Sequence, residues 1–185
     1  MRTLPTAILA LAFAFSAAGC AQTPARTVTD PAAPRALEDN DPVSVQWTDP
    51  EQFTEIRGSL NRWEARRGNW VHELAEHLRD GVQERIGQGE RVDLTITDIR
   101  RAGDFEPARS PQMDHVRVMR DIYWPRITLE FSHYDAAGGL IDGGERELSD
   151  PSYLSSIHGR TQNESLRYEK HMIDRWLDQE FGRPR

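Results

Sequence analysis

Apolar side chains recur along this chain with two distinct periods. In "VSVQW", Val43, Val45 and Trp47 alternate with polar neighbours, the spacing of a half-buried strand. "RVDLTITDI" repeats the pattern, with Val92, Leu94 and Ile96 set against Asp93, Thr95 and Thr97. "VRVMRDIYWPRITLEFSHYD" places Ile127, Leu129 and Phe131 on one side, and Pro125, which cannot donate to a ladder, predicts an edge or a bulge within it. After the turn "DAAGG", Leu140 to Leu148 predicts a returning strand, weakened by Gly143 and Gly144. A period of three to four takes over at Val71, Leu74, Leu78, Val82 and Ile86, and again at Leu166, Ile173, Trp176, Leu177 and Phe181. These are amphipathic helices.

Boundary residues sharpen both helices. Asn61 with Glu64 resembles a capping box, Gly68 divides a short helix from a longer one, and "GQG" at 87–89 ends it. Thr161 with Glu164 predicts a second capping box, while Gly182 and Pro184 stop the last helix. Asp49-Pro50 and Asp150-Pro151 each predict a capped turn. Residues from Ala102 to Asp114 read as a Pro-rich loop. The order is strand, helix, strand, strand, strand, helix. Alternating strands and amphipathic helices bury their apolar sides only against each other, which predicts a two-layer α+β sandwich: about four strands, helices packed on one face.

The first residues follow neither period. Arg2 precedes an almost unbroken apolar run from Leu4 to Ala18. As a helix that run rises about 22 Å, short of the ~30 Å hydrocarbon core, so it reads as a secretion signal over residues 1–19 rather than a span. It ends in "SAAGC", which resembles the lipobox of bacterial lipoproteins with Ala17 in place of the common leucine. Cys20 is the chain's one cysteine. The resemblance implies a diacylglycerol thioether and an N-acyl chain on Cys20, enough for lasting attachment. Ala21 stands where an inner-membrane retention signal would have Asp, which implies the outer membrane, facing the periplasm. The alternative is cleavage after Ala18 and a soluble periplasmic protein. Residues 20–42, with four prolines and no periodicity, read as a lipid-anchored flexible tether reaching up to ~60 Å, and 43–185 as one globular domain.

The chain carries 23 Lys and Arg against 30 Asp and Glu, a formal net charge of −7. That balance argues against a nucleic-acid partner or a general binder of anionic lipid, either of which needs a basic face. With Cys20 acylated, disulfides, thiolate-bound metals and cysteine nucleophiles are excluded.

"WTDPEQFTEIR", "DIYWPRITLEF", "ELSDPSYL" and "LRYEKHMIDRWL" resemble the signature blocks of a family of uncharacterised bacterial secreted proteins and lipoproteins, known only as a domain of unknown function. The resemblance covers Val43 to Phe181 and rests most on Trp-Pro-Arg-Ile and Tyr-Glu-Lys. It implies a Gram-negative envelope protein and carries over no catalytic residue. The element order is also similar to that of small accessory lipoproteins of envelope assembly machines, an analogy of fold alone.

Candidate chemistry is sparse. "HELAEH" holds His72 and His77 five apart, about 140° round a helix, where a zinc protease needs four, so the pair predicts boundary histidines. Asp93, Asp98, Asp104, Glu106 and Asp114, with His115, form an acidic cluster lacking calcium-loop spacing, and Asp93 and Asp98 face opposite ways on a flat strand. His133 and Asp135 share a strand face but are two groups only. No nucleophile elbow, phosphate loop or dinucleotide fingerprint occurs. Trp124, Arg126, Asp150, Tyr153, Tyr168, Glu169 and Lys170 form the candidate binding surface, because aromatics beside arginine anchor interfaces. The packing alternative has Trp124 and Tyr153 buried and Arg126 paired with Asp150 or Glu169. The expectation is a non-enzymatic envelope lipoprotein that binds an envelope protein partner, with no cofactor. A metal-dependent or hydrolytic enzyme and a small-ligand binder are the alternatives.

Overall fold

The computed structural model describes residues 27–38, 42–106, 113–156 and 166–184. Strand β1 (Val43–Trp47) leads through a 3-10 turn (Pro50–Gln52) to helical turns α1 (Thr54–Arg57) and α2 (Arg62–Arg66), then to α3 (Trp70–Gln83). Next come β2 (Arg91–Arg100), β3 (Asp104–Phe105), β4 (Arg117–Val118), β5 (Arg126–Tyr134) and β6 (Leu140–Ser149). α4 (Tyr153–Ser156) and α5 (Arg167–Glu180) complete the chain. The main sheet has the order β1-β2-β5-β6. β1 runs parallel to β2, and β2, β5 and β6 are antiparallel neighbours. A parallel pair requires a long crossover, and α1 to α3 supply it. The α+β sandwich is as the patterning predicts.

One sheet face is apolar. Val43, Val45, Trp47, Val92, Leu94, Ile96, Ile127, Leu129 and Phe131 are buried under α3 and α5. α3 contributes Trp70, Val71, Leu74, Leu78 and Val82; α5 contributes Met172, Ile173, Trp176 and Leu177. The caps form as their residues require. Asp49 accepts from the Glu51 N–H, and Asn61 accepts from the Glu64 N–H at 3.2 Å. Gly68, at φ 91, makes the left-handed turn between α2 and α3 that a side chain would strain. Among the described residues no helix is long and apolar enough to cross a membrane.

Several expectations need correction. Pro125 is neither in a strand nor at a bulge: β5 begins one residue later, and the Pro125 carbonyl accepts from the Asp150 N–H. The bulge lies in β2, where the register slips between Ile96 and Asp98. One extra residue reverses the inward–outward parity, so Asp98 shares the outer face with Asp93 instead of opposing it. The presumed loop after Ala102 contains β3, paired with β4 in a two-stranded ribbon. Two-residue strands leave no periodic trace.

Residues 27–38, part of the segment read as tether, pair with the domain. Leu37 is buried and its N–H donates to the Val45 carbonyl; the Trp47 N–H donates to Arg35. Farther back, the Val28 N–H donates to Arg66 and Thr27 bridges Arg67. β1 is an edge strand, and this strap satisfies its outer backbone groups. Such pairing is backbone to backbone, so side-chain composition does not announce it. The signal segment 1–19, Cys20, residues 21–26 and 39–41, and the Thr161–Glu164 cap lie outside the described residues.

Candidate functional site

Charged side chains are buried at one end of the sheet. Glu55 sits on α1 beside Ile56, and both are buried because α1 plugs the end of the core. Arg101 follows β2 and Arg117 lies on β4. Both reach Glu55. Arg101 donates through its backbone N–H (2.9 Å), Nε (3.1 Å) and Nη2 (2.8 Å), and Arg117 donates through Nη2 to Glu55 Oε1. Their remaining contacts are equally specific. Arg101 Nη2 donates to the Ala65 carbonyl at 3.2 Å, and its guanidinium lies 4.5 Å over the Trp70 ring. Arg117 Nη1 donates to the Gly103 carbonyl at 2.8 Å, and the group lies 4.7 Å over Phe105. The ribbon is therefore fastened to α1 by charge, in addition to the burial of Phe105 in the core.

Glu169, in the first turn of α5, joins the cluster from the other side. Its Oε1 accepts from the Ala102 N–H at 2.6 Å, the residue between Arg101 and the ribbon. Burial raises its carboxyl above the usual carboxylate range, against the opposing pull of the Ala102 N–H and the two arginines. Burial likewise lowers Arg101, with Glu55 opposing. A cavity of about 270 Å³ opens here, lined by Arg101, Ala102, Arg117, Met119, Leu166, Arg167, Tyr168 and Glu169. Arg167 donates to the Tyr168 hydroxyl at 3.0 Å. Three arginines, a tyrosine and a glutamate whose carboxyl pKa is raised by burial thus contribute to the lining of the cavity.

Part of the sequence-derived surface converges on this end. Tyr153 and Tyr168 meet edge to face at 4.8 Å, and the buried Tyr153 hydroxyl donates to the Arg120 carbonyl at 2.7 Å. Asp150, Tyr153 and Glu169 are buried, so these three tie α5 and α4 to the sheet end instead of facing solvent. Asp150 lies 3.4 Å from Arg175 and accepts from the Ser152 N–H, and Glu169 accepts from an amide, where the packing alternative proposed Arg126 for one of them. Arg126 lies 5.7 Å over Trp124, and both are half-buried, as is Lys170.

The other candidates are dispersed. His72 lies 3.4 Å from Glu76, whereas His77 lies 2.7 Å from Asp174 of α5. Asp93 accepts from Ser44; Asp98 caps α1 by accepting from the Thr54 N–H and hydroxyl, both at 2.6 Å. Asp104 faces Arg100, Glu106 bonds Arg120 and Tyr123, and Asp114 lies beside His115. His133 meets Glu90 at 3.1 Å, while Asp135 closes the β5–β6 turn. Among the described residues no three His, Asp, Glu or Cys side chains gather to hold a metal ion.

Glu55, Arg101 and Arg117 were not singled out from sequence. The one trace was Glu55, wedged between Phe53 and Ile56 inside a resemblance block.

Fold and site together define an α+β sandwich whose sheet is closed at one end by a buried arginine–glutamate cluster. The chain matches the family described as "Protein of unknown function (DUF3016)" over residues 41–179 and belongs to it. That match bears out the resemblance, whose blocks span nearly the same residues. No curated protein and no solved structure matches the chain.

Proposed function

We propose that this protein is a lipid-anchored component of the bacterial envelope, held through Cys20 at the outer membrane, whose domain binds another envelope protein without catalysing a reaction. The observation that carries the binding reading is what stands outside the charge cluster. Met119, Ile122 and Leu154 are exposed apolar side chains on the two segments that the Tyr153–Arg120 bond joins, beside the arginine-lined cavity. Large apolar groups exposed together mark a contact surface. Beneath them, Glu55, Arg101 and Arg117 are engaged with one another and with backbone carbonyls, which suits them to hold a shape. The anchor reading rests on the apolar leader and the lone cysteine after "SAAG".

Two experiments test the two halves. Radiolabelled palmitate should enter the chain and be lost with Cys20→Ser, which should also move the protein to the soluble fraction after a high-salt wash that removes electrostatic attachment; unchanged labelling, or unchanged fractionation after that wash, removes the anchor. A photoreactive residue at position 122 should trap one discrete protein in cells, while the same residue at Glu130, exposed on the bare sheet face, should not. Identical products from both positions would remove the binding surface.

A further inference from the structure

We propose that the face formed by the α1–α2 turn and α2 is a membrane-contact surface that lies against anionic phospholipid headgroups. Leu60 is 70% exposed and Trp63 65% exposed, side chains that fold into cores unless something else receives them. Arg57, Arg62 and Arg67 are exposed around them, and the Arg67 guanidinium lies 4.8 Å over the Trp63 ring. Tryptophan with a basic fringe is the composition of a membrane interface: the ring sits at headgroup level and the guanidinium groups reach phosphate. The local charge differs from the chain's average. Glu51 pairs with Arg66, Glu64 with Arg67, and Asp114 lies 3.7 Å from His115. Arg57 and Arg62 have no acidic partner among the described residues. The turn that carries Met113 and Val116, also exposed, is fastened beside them by the Asn61 side-chain amide, which donates to the Asp114 carbonyl.

The path of the chain chooses the occupant. The strap meets the domain on this same face, where Thr27 bridges Arg67 and the Val28 N–H donates to Arg66. Only residues 21–26 separate Thr27 from Cys20. Fully extended, those steps span at most about 25 Å. A domain of this size is about 35–40 Å across, estimated from its expected radius of gyration. The proposed anchor at Cys20, on which this orientation argument rests, therefore keeps the α2 face near the bilayer and the opposite faces away from it. The chain-wide acidity weighs against anionic lipid, but Arg57, Arg62 and Arg67 gather a basic fringe on this one face.

The test uses the mature chain with Cys20→Ser, so that no acyl chain contributes. It should sediment with vesicles of phosphatidylcholine and phosphatidylglycerol at low salt, and much less with phosphatidylcholine alone. Each basic side chain at an anionic surface strengthens binding by about fivefold, so Arg57→Gln with Arg62→Gln should weaken it by roughly 25-fold, while Arg183→Gln at the far end of α5 should not. Brominated lipid should quench tryptophan emission in the parent chain and distinctly less in Trp63→Phe. These side chains are exposed, and an unchanged circular dichroism spectrum verifies folding. Equal sedimentation with both vesicles, indifference to the arginine pair, or quenching unaltered by Trp63→Phe would overturn the proposal. A crosslinker at position 63 that captures a protein instead of phospholipid would do the same. Palmitate labelling is scored separately: label without vesicle binding removes this face alone, and vesicle binding without label removes the anchor alone.

Discussion

The two ends of α5 are fixed to the rest of the domain by different means. At its first turn, Glu169 and Glu55 are almost wholly withdrawn from water, and the Arg101 and Arg117 side chains that hold Glu55 largely so. At its last turn each fastening has one partner in contact with solvent: Asp178 is 43% and Arg146 31% exposed, while Arg85 and Glu180 are more enclosed. Arg85 donates to Asp178 at 2.8 Å and to the Gly182 carbonyl at 3.1 Å, and Arg146 grips Glu180 through Nε and Nη2. Both ends use arginine and carboxylate, but the surrounding dielectric separates them. A charge kept from water depends on its partner, whereas one at the surface has water as a substitute. The buried end should be costly to alter and the open end tolerant.

The largest effect is expected at Glu55. Glu55→Ala leaves Arg101 and Arg117 buried beside each other without their common carboxylate, and breaking such a group costs about 3–5 kcal/mol. Urea denaturation should show that loss as a lower midpoint at unchanged slope. Glu55→Gln, which keeps an acceptor oxygen but no charge, should fall between. If Glu55→Ala shifts the midpoint no more than a surface substitution does, the two ends of α5 are equivalent and the contrast fails.

That contrast also explains what the sequence makes legible. β1, β2 and β5 alternate because one face is buried along their length, and α3 and α5 show their stripes for the same reason. Asp49 and Asn61 are readable as caps because a cap acts within three residues of itself. Glu55, by contrast, finds partners 46 and 62 positions away, and no local period encodes that. A burial pattern marks where apolar residues go and is silent on a charge that follows them inside. The Thr97 bulge inverts parity without changing composition, and the strap is held through its backbone. Net charge fails for a related reason, since a chain-wide sum erases the arginines gathered around the α1–α2 turn and α2.

A smaller effect, visible against pH, belongs to Glu169. Burial raises its carboxyl, so between its ordinary value, 4.5, and its folded value the native state holds a proton that the unfolded chain has released. The unfolded state then binds fewer protons, and stability from this group declines as pH rises through that window. Glu169→Gln cannot ionise, and its side-chain oxygen can still accept from the Ala102 N–H. Stability measured from pH 5 to pH 8 should therefore fall less steeply in Glu169→Gln than in the parent. Parallel curves would show that water already reaches the carboxylate, making this end as open as the other.

The smallest effect should come from the open end. Glu180→Gln removes the charge that Arg146 grips yet leaves the Arg146 guanidinium over the Phe131 ring, so packing is retained. The Arg146 side chain is still about a third exposed, and pairs of this kind contribute about 0.2–1 kcal/mol. Arg146 also lies 3.2 Å from Asp142, which supplies a second carboxylate once Glu180 is neutral. The loss should therefore sit at the low end of that range. It should shrink further in 0.5 M salt, about 0.4 nm of screening length, while the Glu55→Ala loss, shielded from ions by burial, keeps its size. Urea midpoints of both variants at low and high salt measure this difference. A Glu180→Gln loss as large as that of Glu55→Ala, and equally indifferent to salt, would mean that solvent exposure does not set the strength of these arginine–carboxylate fastenings.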